Sequence, residues 1–257
     1  MLINGNDIAN GMLEALRTKA IPQKKLVVIH IGDDSASKSF VAKKKNIAQS
    51  LGVHVEVREV SPVEQEISNA IESLNDDETV GGIVVQLPLP ESVSRDRIVA
   101  LIRPEKDVDA LTAKARVLAP TVIAVQHIFS ALHMDHRAMR IAVIGKGFLV
   151  GKPIAAWLKA SGQNVSHMDY GAIDVETLKD ADIVITGTGK PAFLKCDSIK
   201  KGVVLIDFGY AKNGGKTFGD VDVESCSAVA SFITPTPGGT GPIVVAALMQ
   251  NFFELAS

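Results

Sequence analysis

Four lysines fall within residues 37–52, SKSFVAKKKNIAQSLG, and one of them is out of step with its helix. Read at helical spacing, Phe40, Ile47, Ala48 and Leu51 form one apolar stripe, and Gly52 stops the pattern. Lys44 sits on that stripe, four residues after Phe40 and four before Ala48, whereas Lys43 and Lys45 point away from it. From this stretch alone Lys44 snorkels, with its stem packed and its ammonium wet. A second candidate is GKGFLVG, Gly145–Gly151. It follows the apolar run RIAVI and opens an amphipathic helix, a context in which glycines bring backbone amides and a helix N-terminus to a pyrophosphate. The spacing G-x-G-x-x-x-G is looser than the common fingerprint; the competing account is a turn that only packs strand against helix. Asp169 ends the next strand pattern, about where a carboxylate accepts a ribose 2′-hydroxyl, and a solvent-facing loop aspartate fits that position equally well.

Three further stretches carry chemistry. QLPLP, Gln86–Pro90, ends a strand pattern with a donor–acceptor amide and a stiff apolar wall that includes Leu87 and Pro88. EKDVDA places Asp107 and Asp109 beside Lys106, and its own residues read as a charged surface loop. TPTPGG, Thr234–Gly239, is too rigid and too small-sided for an ordinary loop and suggests backbone closely approaching a flat ligand. DFGY, 207–210, is not a kinase signature, because the other kinase motifs are absent.

The elements that must position these residues alternate in type. An opening helix covers DIANGMLEALRTKA, followed by strand KLVVIHIG, the helix at 37–51, strand VHVEVREV, a helix at 63–74, strand GGIVVQL and a short helix RDRIVALI. TVIAVQHIFSALH is a helix joining to a second series: strand RIAVI, glycine turn and helix, strand QNVSHMD, helix VETLKDA, then strands DIVITGTG, GVVLIDFGY and AVASFIT. The end opens from the Pro/Gly loop into a helix with almost no polar face, which predicts burial; Gly241 can cap it and Pro242 suits its first turn. Strand and helix in alternation predict parallel α/β structure. A chain of 257 residues, 46% hydrophobic and 22% charged, accommodates one large domain or two modest ones. The net charge of −2 gives no pull toward nucleic acid or an anionic membrane. No apolar run reaches a membrane span and no signal peptide is evident. Cys196 and Cys226 lack metal-ligand spacing and read as reduced thiols of a cytoplasmic protein, and the histidines form no metal-binding pair, so no metal is expected.

Taken in order, S-x-x-F-V-x-x-K-K, VVQLPLP, PEKDVDA, GKGFLVGKP, ADIVITGTGKP, KKGVVLIDFGY, GDVD and TPTPGGTGP resemble the bifunctional methylenetetrahydrofolate dehydrogenase/methenyltetrahydrofolate cyclohydrolase family over nearly the whole chain. The resemblance implies two α/β domains flanking a cleft, the second a Rossmann-type doubly wound parallel sheet. It gives residues 1–119 with 240–257 to a folate-binding catalytic domain and 120–239 to an NAD(P)-binding domain. It implies oxidation of 5,10-methylenetetrahydrofolate with NAD(P)+, then hydrolysis of the methenyl product to 10-formyltetrahydrofolate, by a homodimer. Lys44 matches the family's catalytic lysine, Gln86 the glutamine that orients it, and Asp109 the aspartate that holds the pterin. Phe40, Leu87, Pro88, Pro237, Gly238 and Gly239 fall at substrate-binding positions. Gly145, Lys146, Gly147, Val150, Gly151, Asp169, Gly187, Thr188, Gly189 and Thr234 fall at cofactor-binding positions.

Departures cluster at these positions. The family tyrosine four residues before the lysine is Phe40, and the family's G-R-S is Gly145-Lys146-Gly147. The usual H-S-K-T after the next strand is replaced by MDYGA, and the threonine of the last helix by Val244. Gly147 and Asp169 favour NAD+, whereas Lys146 can still meet a 2′-phosphate as a point charge. The departures leave two alternatives to a full bifunctional enzyme: a catalytically impaired NAD(P)- or folate-binding homologue, or a dehydrogenase with weak cyclohydrolase activity. A Rossmann dehydrogenase of the amino-acid-dehydrogenase type is opposed by QLPLP together with TPxPGG.

Overall fold

The structure, a computed structural model, describes residues 1–32 and 34–257. The chain divides into two compact units, one of Met1–Asn10 with Thr121–Val244 and the other of Gly11–Pro120 with Val245–Ser257. It passes between them within α1 (Gly5–Arg17), at the start of α5 (Pro120–Ala131) and within α9 (Thr240–Leu255). The first ten residues group with the later α/β series, where the sequence had assigned them to the earlier one. Main-chain bonds hold them there, Ile3 N to Ile233 O and Gly5 N to Gly238 O, both 2.8 Å.

The unit built on residues 11–120 has a parallel three-stranded sheet of order β2-β1-β3, made of β1 (Lys25–Ile31), β2 (Val55–Val60) and β3 (Val80–Val85). Its central strand, KLVVIHI, is a nearly unbroken apolar run, as a parallel strand covered on both faces requires. Helix α2 (Ser35–Ser50) connects β1 to β2, and α3 (Glu64–Asp76) connects β2 to β3. Asp34 caps α2 by accepting from Ser37 N at 2.7 Å, and Gly52, at φ +75°, lets the chain leave it. Glu64 and Glu66 suit the first turn of α3. The short α4 (Arg95–Ala100) follows QLPLP. Leu26, Ile29, Ile71, Ile83, Ile98 and Phe252 are fully buried in this core.

The other unit carries a parallel five-stranded sheet of order β10-β7-β6-β4-β5. The strands are β4 (Arg140–Ile144), β5 (Asn164–Met168), β6 (Ile183–Thr186), β7 (Val204–Asp207) and β10 (Phe232–Ile233), with α6 (Gly151–Ala160), α7 (Val175–Asp180) and α8 (Val223–Cys226) between them. A small hairpin, β8 (Ala211–Asn213) with β9 (Lys216–Phe218), was not foreseen. Its turn is Gly214-Gly215, both at positive φ, the pattern a two-residue hairpin demands. Among the described residues no helix is long and apolar enough to cross a membrane, and no three His, Cys, Asp or Glu side chains are grouped to hold a metal.

Two features of these cores give measurable consequences. Gly82 in β3 lies beneath Val108 and Phe252: a Cβ there would sit 2.7 Å from Val108 Cγ1 and 2.8 Å from Phe252 Cδ2. Gly82→Ala is therefore expected to lower stability by roughly 1–3 kcal/mol through overpacking, with an unchanged urea m-value. A variant as stable as wild type would mean that α9 does not seat on β3 this closely. In the five-stranded unit Asp207, at the end of β7, is fully buried, and loss of hydration pushes its carboxyl up to about 7, with Asp220 adding to the rise. Because the folded value is raised, the stability linked to Asp207 is fully present below the unfolded carboxyl pKa and is lost as pH rises through about 7. Between about pH 5 and about pH 8 the melting temperature of wild type is expected to fall relative to that of Asp207→Asn. Parallel profiles for the two proteins would refute that assignment.

Candidate functional site

In the three-stranded unit the strand order reverses beside β1, since β2 lies on one side of it and β3 on the other. Loops at the carboxyl ends of such strands diverge and leave a crevice. Lys44, in α2, and Gln86, immediately after β3, stand on the two connections that part there. Lys44 Nζ donates to Gln86 Oε1 at 3.1 Å. Gln86 is 7% exposed and is itself fixed, its Nε2 donating to Leu87 O at 2.7 Å and its backbone N to Ile29 O at 2.9 Å. The amide is thus oriented with its oxygen toward the lysine. Lys44 is half-buried, so the lysine on the apolar stripe does cover apolar surface, and its ammonium has a designated acceptor. Lys45 is exposed, and Lys43 Nζ lies 5.6 Å from the centre of the half-buried Phe40 ring.

EKDVDA is not a charged surface loop. Asp107 is wholly buried and pairs alongside Ile83 of β3, its carboxylate accepting from Leu111 N at 3.0 Å and Thr112 N at 2.7 Å. Lys106 turns inward and donates 2.8 Å bonds to the carbonyls of Leu74, Asn75 and Asp77, closing the end of α3. Burial draws the Lys106 ammonium below its ordinary range, against the pull of Asp77. Asn251 of α9, 1% exposed, donates from Nδ2 to both Val108 O and Leu118 O at 2.8 Å. Together these groups fix the backbone that presents Asp109. Desolvation raises the Asp109 carboxyl above its ordinary range; the Lys44 charge opposes the rise and Asp107 adds to it. Lys44 is thus hydrogen-bonded to Gln86, and its charge acts on Asp109. Leu87 is half-buried and Pro88 exposed beside them in sequence, joined by a cis peptide.

In the five-stranded unit the order reverses beside β4, with β5 on one side and β6 on the other, and the glycine turn follows β4. Gly145 is buried at φ +105°, and a Cβ on Gly151 would fall 1.6 Å from Gly145 O, so the turn closes tightly at both ends. His167 Nε2 lies 3.0 Å from the same Gly145 carbonyl oxygen. A Cβ on Gly147 would meet only Gly187 O, at 3.8 Å, so there is room for the family's serine. Lys146 is exposed and Val150 half-buried. Across the reversal a Cβ on Gly187 would lie 2.4 Å from Val150 Cγ1, which seats the loop after β6 against the turn. Gly189 is exposed at φ +69°, and Thr188 is half-buried. This arrangement leaves a helix N-terminus and an open glycine turn at a strand-order reversal, which fits a dinucleotide pyrophosphate.

Two expectations change. TPTPGG is tight, but the backbone approaching it is the chain's own: a Cβ on Gly5 would fall 1.7 Å from Gly239 O. Pro237 is exposed and Gly238 sits at φ +94°. Thr234 is wholly buried, and its Oγ1 accepts from Asp207 N at 2.7 Å, so the hydroxyl belongs to the scaffold. Asp169 is exposed at the end of edge strand β5, with Oδ1 accepting from Tyr170 N at 2.8 Å. Asn251 and the buried Asp220 were not singled out from sequence, although GDVD contains the second, and Asp107 was read as surface charge.

Comparison with known proteins joins both units. Residues 3–109 match the family model "Tetrahydrofolate dehydrogenase/cyclohydrolase, catalytic domain", and residues 119–257 match "Tetrahydrofolate dehydrogenase/cyclohydrolase, NAD(P)-binding domain". The chain is 36% identical over 252 residues to the bifunctional protein FolD of Staphylococcus aureus, covering 93% of this chain and 88% of that one. Among solved structures it is similar to the bifunctional FolD methylenetetrahydrofolate dehydrogenase/cyclohydrolase of Campylobacter jejuni, with TM-score 0.93, 31% identity and coverage of 100% and 98%. It is also similar to a 5,10-methylenetetrahydrofolate dehydrogenase from Bombyx mori, with TM-score 0.90, 30% identity and coverage of 98% and 96%. With a family model matched along each half and relatives aligned over nearly their whole lengths, this chain belongs to the tetrahydrofolate dehydrogenase/cyclohydrolase family.

Proposed function

We propose that this chain oxidises 5,10-methylenetetrahydrofolate to its 5,10-methenyl form with a nicotinamide dinucleotide and then hydrolyses the methenyl form to 10-formyltetrahydrofolate. The observation that carries the reading is the Lys44–Gln86 hydrogen bond at a strand-order reversal, in a chain of this family. Gly145, Gly147 and Gly151 would hold the dinucleotide; when bound, its nicotinamide supplies the hydride acceptor for the methylene carbon.

The protein's own groups handle protons and orientation. Water adding to the methenyl carbon must lose a proton, and opening of the ring must return one to a folate nitrogen. Lys44 Nζ is the group for that exchange, because Gln86 Oε1 takes one of its N–H directions and leaves the others free to face substrate. Gln86 cannot turn its amide without losing the Leu87 bond. Asp109 supplies the pterin contact, since a carboxyl matches the paired N–H groups on a pterin edge. Burial raises its pKa in the free protein, and N–H donors of a bound pterin would stabilise the carboxylate and draw that pKa down. The family resemblance also supports a homodimer.

For the cofactor, two features support NAD+. Gly147 offers no hydroxyl to a 2′-phosphate, and Asp169 places a carboxylate at the end of β5. The exposed Lys146 supports NADP+. NAD+ is favoured.

Purified protein given 5,10-methylenetetrahydrofolate and either cofactor is expected to produce reduced-nicotinamide and methenyl absorbance, followed by decay of the methenyl signal; absence of both signals would refute the function. Lys44→Met is expected to reduce methenyl hydrolysis by roughly a hundredfold or more, while Lys45→Met stays near wild type. Equal losses in the two variants would remove Lys44 from the chemistry. Comparison of kcat/KM is expected to favour NAD+; a preference for NADP+ of about tenfold, roughly 1.4 kcal/mol at the transition state, would show that Asp169 does not face the ribose.

A further inference from the structure

GDVD, Gly219–Asp222, has no part in the chemistry above, yet it holds a fully buried carboxylate. Asp220 Oδ2 accepts from Thr186 Oγ1 at 2.7 Å, Thr188 N at 2.6 Å and Thr188 Oγ1 at 2.9 Å, and Oδ1 accepts from Lys190 N at 3.0 Å. Among the described residues no cation pairs with it, so its charge rests on neutral donors drawn from one loop. That loop, 186–190, leaves the carboxyl end of β6 at the strand-order reversal. Gly209 makes the approach feasible, since a Cβ there would fall 2.2 Å from Asp220 Oδ1. The backbone of Asp220 is held as firmly. Its carbonyl accepts from Leu194 N at 3.0 Å, and the next residue, Val221, is tied to the Asp207 carboxylate. Asp207 accepts from Gly209 N at 2.6 Å and Val221 N at 2.9 Å.

The loop that Asp220 gathers is the one against which the glycine turn closes. Gly187 N donates to Ile144 O at 3.0 Å. A Cβ on Gly145 would fall 2.8 Å from Gly187 O, and a Cβ on Gly187 would fall 2.4 Å from Val150 Cγ1. Spacing this close transmits a shift of a few tenths of an ångström in the loop to the turn.

We propose that Asp220 is a positioning residue for the dinucleotide: by gathering four donors of the 186–190 loop it sets the backbone on which the Gly145–Gly151 turn is seated. This rests on the dinucleotide reading given above. Its role lies in cofactor affinity and not in the proton chemistry of Lys44, and the two reactions separate these, because hydrolysis of added methenyltetrahydrofolate consumes no dinucleotide.

The test measures both reactions in wild type, Asp220→Asn, Thr186→Val and Thr186→Ser. In Asp220→Asn an amide N–H₂ must face at least one of the loop's N–H or O–H donors. The KM for the preferred dinucleotide and its Kd by nicotinamide fluorescence are expected to rise roughly tenfold or more, with kcat and methenyl hydrolysis changed less than about threefold. Thr186→Val removes one donor and is expected to raise the same KM a few-fold, and Thr186→Ser to restore it. These two variants decide the matter if Asp220→Asn does not fold. An unchanged dinucleotide KM in Thr186→Val, or equal losses in both reactions, overturns the role of Asp220. A wild type without dinucleotide-dependent oxidation overturns the functional reading itself, which the variants leave untouched.

Discussion

Each unit of this chain depends on a reversal in strand order beside its first strand. In one sheet β2 and β3 flank β1, and in the other β5 and β6 flank β4. Successive right-handed crossovers to opposite sides of a parallel sheet must cover opposite faces. The loops at the carboxyl ends then part, and main-chain and side-chain groups are left uncovered at that one place. Lys44 and Gln86 occupy the first such place, and the glycine turn with the 186–190 loop occupies the second. Moving either set one connection along the chain would bury it under a helix.

Openings of this kind need rigid rims, and here the rims are built from buried polar groups. Asp107, Asn251, Asp207 and Asp220 are each at most 1% exposed, and each is matched by donors or acceptors. A buried polar group left unmatched costs about 1–3 kcal/mol, so each set of partners is strongly preferred over any shifted arrangement. Apolar packing could fill the same volume but would tolerate sliding. The polar clasps fix loops that have little regular structure of their own.

The alternation of elements was legible because it is local: apolar runs such as KLVVIHI and RIAVI declare buried parallel strands within a few residues. Lys44 was legible as an anomaly, a charge on an apolar stripe. The clasps were not. Asn251 reaches Val108 O across 143 positions, and Asp220 reaches Thr186 across 34, distances at which periodicity carries no information. For the same reason KDVD looked like surface charge, when Lys106 and Asp107 each have partners inside the protein. The Gly214-Gly215 hairpin was visible in principle and went unread because its strands are only three residues each.

The division of α9 between units imposes an order on synthesis. Phe252 and Asn251 complete the core and the Asp109 loop of the unit built on residues 11–120, yet they lie beyond the whole of the other unit's sequence. A ribosome that has just finished β3 has made a sheet with its covering helix still some 160 residues away, by the numbering of Val85 and Val245. At about 5–20 residues per second that wait lasts on the order of ten seconds or more, far longer than a helix or a local turn takes to form. The five-stranded unit, by contrast, has all its residues through Val244 before the other can close. The half that carries Lys44 has its sheet made first and its covering helix made last.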